Sequence, residues 1–155
     1  MQPYRWFDLG ITGALIMEVV ALLSGVNDLM VLKMVGGAVF VTGMLGLIAE
    51  RQNNSTSKPV WSAYLTSLFS GVLPWFLIAS YAVGTVVYGS VRAPWYVYAV
   101  YAAFAGGWLL IAANEHKQYR KVGAWANYMV VERNYVVLSL LTKVAFAAIL
   151  IAGLR

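Results

Sequence analysis

The chain has 155 residues, 61% hydrophobic and only 11% charged, with a formal charge of +5 and no cysteine, and its mean hydropathy is +0.72. Soluble domains are about half apolar and a quarter charged, so water is not its main solvent, and the missing thiols exclude disulfides and thiolate metal sites. A bilayer core about 30 Å thick takes roughly 20 apolar residues per helix, so this length accommodates about five spans as a single membrane domain, residues 1–155, and little besides.

The first apolar stretch, Phe7 to Ser24, contains Asp8 and Glu18, unlike the uncharged core of a cleavable signal peptide, and is expected to stay as a span. Asp8 and Thr12, four residues apart, share one helix face. Ser24-Gly25-Val26-Asn27-Asp28 carries turn chemistry and leads into the second span, Leu29 to Ala49, which is lightened by Gly36, Gly37, Gly43 and Gly46. Glu18 and Lys33 lie seven or eight residues to either side of this turn, so an antiparallel hairpin brings them to similar depth. They are predicted to face each other as an ion pair, the alternative being that Lys33 snorkels outward.

A polar run from Arg51 to Pro59 separates the second span from the third, Trp61 to Val86, which holds Pro74 and Trp75. Gly89-Ser90-Val91-Arg92-Ala93-Pro94 is the next turn, with Pro94 suited to the first turn of the following helix. The fourth span, Trp95 to Asn114, pairs small residues at packing spacing, Ala102 with Gly106 and Ala103 with Gly107. It continues into the polar run Asn114 to Arg120, whose His116 is the only histidine and lacks the second ligand at i+4 that a zincin motif needs. The fifth span, Tyr135 to Leu154, carries Lys143 eight residues in, about 12 Å along the helix, with Ser139 one turn earlier.

No stretch alternates strictly, and backbone groups in lipid must be satisfied within the segment, so the fold class is all-α, a polytopic transmembrane bundle. Aromatic residues gather where headgroups belong: Tyr4, Trp6, Trp61, Tyr64, Tyr88, Trp95, Trp125, Tyr128 and Tyr135 among them. Arg5, Arg51, Lys58, Lys117, Arg120, Lys121 and Arg133 fall on one side, Arg92 and Arg155 on the other, with Lys33 and Lys143 inside spans. By the positive-inside rule the first side is cytoplasmic, so the N-terminus lies inside and the C-terminus outside. The other basic residues lie in short loops, where they set topology and do not indicate nucleic-acid binding. Nucleophile elbow, P-loop and paired-carboxylate signatures are absent, and an ordinary enzyme is not expected.

A lysine deep in a span needs a partner or a task. With Asp8, Thr12 and Ser139 at comparable depth, Lys143 admits two readings: a structural ion pair, or an amine that forms a Schiff base with an aldehyde, the carboxylate acting as counterion. Spacing alone does not decide between them.

The stretch Gln118 to Lys143, QYRKVGAWANYMVVERNYVVLSLLTK, resembles the junction of the sixth and seventh helices of heliorhodopsins, retinal proteins whose membrane orientation is inverted relative to other microbial rhodopsins. Matching positions include Gln118, Tyr119, Arg120, Gly123, Trp125, Tyr128, Glu132, Tyr135, Ser139 and Lys143. The opening RWFDLGIT resembles that family's third helix, where arginine precedes the counterion carboxylate by three positions, here Arg5 and Asp8, and Pro74-Trp75 is similar to its fifth. The resemblance thus spans nearly the whole chain but only the third to seventh helices of the family, a rhodopsin-like bundle minus the first two.

That resemblance implies that Lys143 carries retinal as a protonated Schiff base, that Asp8 is the counterion, and that Thr12 and Ser139 hydrogen-bond nearby. Asp8 stands where the family usually has glutamate. Trp75, Phe104 and Trp108 are candidates for the polyene's surroundings, the first two by aromatic character and the third by depth, each equally consistent with ordinary packing. Two walls of the family's pocket are not in this sequence, so a homo-oligomer is expected. The implied function is a light-responsive photoreceptor in the lipid bilayer, not an ion pump, signalling through its cytoplasmic surface from Lys117 to Glu132 to an unidentified partner. The rival readings are a chromophore-free scaffold or regulatory subunit, and an oligomeric ion channel or transporter lined by Glu18 or Asp8.

Overall fold

The computed structural model describes residues 3–89 and 93–155 and contains five long helices, each long and apolar enough to cross a membrane. They are α1 (Tyr4–Leu23), α2 (Leu29–Ser55), α3 (Ser62–Tyr88), α4 (Trp95–Tyr119) and α5 (Tyr128–Gly153). The chain divides into two compact units, one ending at Ala93 and the other running from Pro94 to Arg155. Ser90, Val91 and Arg92, part of the predicted turn and topology count, lie outside the described residues.

In the first unit α1 and α2 form an antiparallel hairpin. The C-terminus of α1 closes as a Schellman motif: the Val26 amide donates to the Ala21 carbonyl at 3.1 Å and the Gly25 amide to Leu22 at 3.0 Å, with Gly25 at φ +90°. That left-handed conformation explains why a glycine stands at this position. Asp28 then caps α2, its carboxylate accepting from the Met30 and Val31 amides at 2.7 and 3.1 Å. Further along the hairpin the two backbones nearly touch. A Cβ on Gly43 would lie 2.9 Å from the Trp6 carbonyl oxygen, and one on Gly46 would enter the Trp6 ring. Close approach of this kind supplies the dispersion contact that holds helices together where lipid removes the hydrophobic drive.

Between α2 and α3 the Asn53 amide brackets Val60, donating to its carbonyl at 2.9 Å and accepting from its amide at 2.8 Å. Ser67 donates to the Thr42 carbonyl at 3.2 Å and Thr42 to the Ser70 hydroxyl at 3.1 Å, so hydroxyls tie the middle of these helices. Pro74 lies buried inside α3 without ending it, as neighbouring helices permit in membrane spans.

The second unit is the α4–α5 hairpin with a 3-10 turn, Gly123–Ala126, between its helices. Antiparallel contacts run from Tyr96 beside Gly153, through Gly107 against Thr142, to Asn114 donating to the Val131 carbonyl at 3.2 Å. Pro94 directly precedes α4 as its N-cap.

Several helices outrun their predicted spans. The second continues through Arg51 to Ser55, the fourth through Asn114 to Tyr119, and the fifth begins at Tyr128 instead of Tyr135. Hydropathy reports the lipid-embedded part, whereas helical hydrogen bonding persists into the headgroup region as long as side chains can reach water.

Candidate functional site

On α1 the Thr12 hydroxyl donates to the Asp8 carbonyl at 2.6 Å, with the Asp8 carboxylate as a weaker second acceptor at 3.2 Å, so the two residues share one helix face as predicted. Both side chains are partly buried. The backbone bond fixes the threonine rotamer and leaves the hydroxyl beside the carboxylate.

Arg5 and Trp6 precede Asp8 by three and two residues, and both are buried. The Arg5 guanidinium lies 3.1 Å from the Glu50 carboxylate, the two side chains 2% and 0% exposed, and the Trp6 indole donates to the same carboxylate. Arg5 also stacks 5.0 Å from the Trp6 ring centroid. Glu50 was not among the sequence candidates because the predicted span ended one residue earlier. A signal existed: reflection about the turn at residues 25–26 pairs Glu18 with Lys33, and the same reflection carries Arg5 to within about one turn of Glu50.

Glu18 and Lys33 sit 3.5 Å apart, the carboxylate side chain 22% and the lysine 65% exposed. The predicted facing pair is therefore present, with Lys33 also reaching outward. Gly36 makes room for it, since a Cβ there would collide with the Glu18 carboxylate.

In the second unit Lys143 and Ser139 are partly buried, one turn apart on α5. The adjacent Thr142 packs on Gly107, and Phe146 meets Phe104 with ring centroids 6.4 Å apart. Phe104 and Trp108, one turn apart on α4, are both partly buried. Trp75 is partly buried on α3 beside Pro74, in the first unit. Glu132 is partly buried in the second turn of α5. The proposed site residues thus divide between the units: Arg5, Asp8, Thr12, Glu18, Lys33 and Trp75 in the first, Phe104, Trp108, Glu132, Ser139 and Lys143 in the second.

No curated protein matches the chain. The family model described as Heliorhodopsin matches residues 1–154, over the same five helices whose length and composition suit a bilayer. The chain therefore belongs to the heliorhodopsin family of microbial rhodopsin-like membrane proteins.

Proposed function

We propose that this protein is a retinal-binding photosensor in which Lys143 holds retinal as a protonated Schiff base and Asp8 is its counterion. The observation that carries the reading is family membership over residues 1–154, joined to a lysine in the interior of an apolar 26-residue helix. An amine in such a segment costs roughly 3 kcal/mol on insertion, and covalent attachment of an aldehyde gives that cost a purpose.

The residues fit the group. Lys143 supplies a primary amine and Ser139 a hydroxyl on the same face of α5, while Phe104 and Phe146 place aromatic surface one helix turn from the lysine. In its most apolar stretch only 6% of the residues of α5 are buried, against 33% of those of α2, so helix surface remains for a polyene, lipid or another subunit. Bound retinal supplies light absorption and isomerisation.

As counterion, Asp8 would offset the positive charge at the nitrogen, with the Thr12 hydroxyl beside its carboxylate at 3.2 Å. Glu18 is engaged by Lys33, which favours a sensor over a pump, since pumping needs a further carboxyl group free to relay protons. The five spans act as one membrane domain with a cytoplasmic N-terminus, and the chain works as a homo-oligomer.

The test is addition of all-trans-retinal to the purified protein. A red-shifted visible band is expected that Lys143→Ala abolishes. Asp8→Asn is expected to move the band to longer wavelength, because loss of the carboxylate lets positive charge spread from the nitrogen. Absence of a band in the unaltered, folded protein overturns the reading in favour of a chromophore-free scaffold.

A further inference from the structure

The cytoplasm-facing end assigned to the α4–α5 hairpin contains a cleft of about 310 Å3 that includes none of the proposed retinal-binding residues. Its walls are Leu110, Val137 and Leu138, and its polar groups are Asn114, Lys117, Trp125 and Asn134. Two of these are occupied with each other: Trp125 donates its indole N–H to the Asn114 side-chain oxygen Oδ1 at 2.9 Å, and the Asn114 side-chain amide donates to the Val131 backbone carbonyl. They form a rigid floor.

The other two are available. Lys117 lies 4.5 Å above the Trp125 ring, an exposed ammonium that makes no ion pair with any described residue. Asn134 is partly buried, and its amide has no hydrogen-bond partner among the described residues. An accessible amide beside apolar walls can donate to a polar ligand group that reaches the cleft. Arg120, Lys121 and Arg133, all exposed, add positive charge at the same end.

We infer that this cleft binds one anionic phospholipid, its phosphate at Lys117 and Asn134 and an acyl chain along Leu110, Val137 and Leu138. Leu110 and Val137 are 56% and 49% exposed, so the apolar wall opens sideways as a chain entering from the bilayer requires. A compact ammonium stacked on an indole, with an amide donor nearby, suits a phosphate better than a zwitterionic headgroup, whose own cation Lys117 repels. The assignment stands independently of retinal binding.

Quenching of Trp125 tests it. The full chain is reconstituted in phosphatidylcholine nanodiscs and titrated with phosphatidylglycerol brominated on its acyl chains, or with brominated phosphatidylcholine. The Trp125 signal is the difference between the unaltered chain and Trp125→Phe. Half-quenching is expected at about fivefold lower mole fraction of the anionic lipid, the ratio that corresponds to ~1 kcal/mol for one basic residue at an anionic surface. Lys117→Gln removes that preference, Lys117→Arg keeps it, and Asn134→Leu weakens it. Native mass spectrometry of the unaltered chain provides a second reading: one retained phosphatidylglycerol in preference to phosphatidylcholine.

Equal quenching by both lipids means ordinary annular contact and overturns the site. Relief of the quenching by inorganic phosphate means an anion pocket without a lipid. Quenching by neither lipid, with Lys117 protected in a crosslinked dimer, means that a second copy covers the cleft. Each of these outcomes refutes the proposal.

Discussion

Arg5 and Glu50 carry opposite charges into a place where neither meets solvent, at 2% and 0% exposure. Breaking such a pair leaves one charge buried and uncompensated, which costs about 3–5 kcal/mol, whereas replacing both partners by apolar groups is often neutral. Glu50→Leu is therefore expected to lower the thermal stability of the detergent-solubilised protein strongly, by about 3 kcal/mol, and Arg5→Met/Glu50→Leu to recover most of the loss. An equal loss in the double variant means that the Trp6 indole bond, not the ion pair, is what Glu50 contributes. At this scale the sequence was legible where partners lie one turn apart or mirror each other closely about a turn, as Thr12 with Asp8 and Glu18 with Lys33 do. Glu50 escaped because a hydropathy boundary treats the first charge after an apolar run as the start of a loop, although helix and burial both continue past it.

At the scale of elements, α1 and α2 meet through missing side chains. Trp6 lies over Gly46 with its indole fixed on Glu50, so the ring cannot swing away from a larger neighbour. Gly46→Val is expected to separate the hairpin and lower the yield of folded protein, because overpacking that no rotamer relieves costs roughly 1–3 kcal/mol or more. Gly37, in contrast, has open space around its Cβ position. Gly37→Ala is expected to leave stability unchanged or to raise it by up to about 1 kcal/mol, the helix-propensity gain. In the sequence the four glycines of the second span look alike, and only the three-dimensional rotation of the helix separates Gly37 from the rest. The α4 terminus offers a complementary case. It ends in a Schellman motif, with Val122 donating to Lys117 at 3.2 Å and Lys121 to Gln118 at 2.9 Å, yet the left-handed position is Lys121 at φ 50°. A side chain there is strained by about 1 kcal/mol, so Lys121→Gly is expected to raise the melting temperature by a few degrees, and a fall means that the lysine makes contacts worth more than its strain.

At the scale of the whole molecule, five apolar helices specify spans but not their direction, and direction rests on charge. Seven of the basic residues, Arg5, Arg51, Lys58, Lys117, Arg120, Lys121 and Arg133, belong to one side by span parity, against Arg92 and Arg155 on the other. Four of the seven flank the α4–α5 connection, within the short distance from a helix end at which lysine and arginine resist translocation. Because the chain has no cysteine, single thiols report topology without background. Ser57→Cys lies in the exposed connection between α2 and α3, and Arg155→Cys at the C-terminus. A membrane-impermeant maleimide added to intact cells is expected to label Arg155→Cys, and to label Ser57→Cys only after permeabilisation. The opposite pattern would place Lys117 to Glu132 outside and remove the cytoplasmic surface through which the proposed photosensor would signal. Labelling of both thiols in intact cells would mean that an even number of helices crosses between them, which five continuous spans do not allow: α3, α4 and α5 separate the two positions, and three crossings must exchange sides.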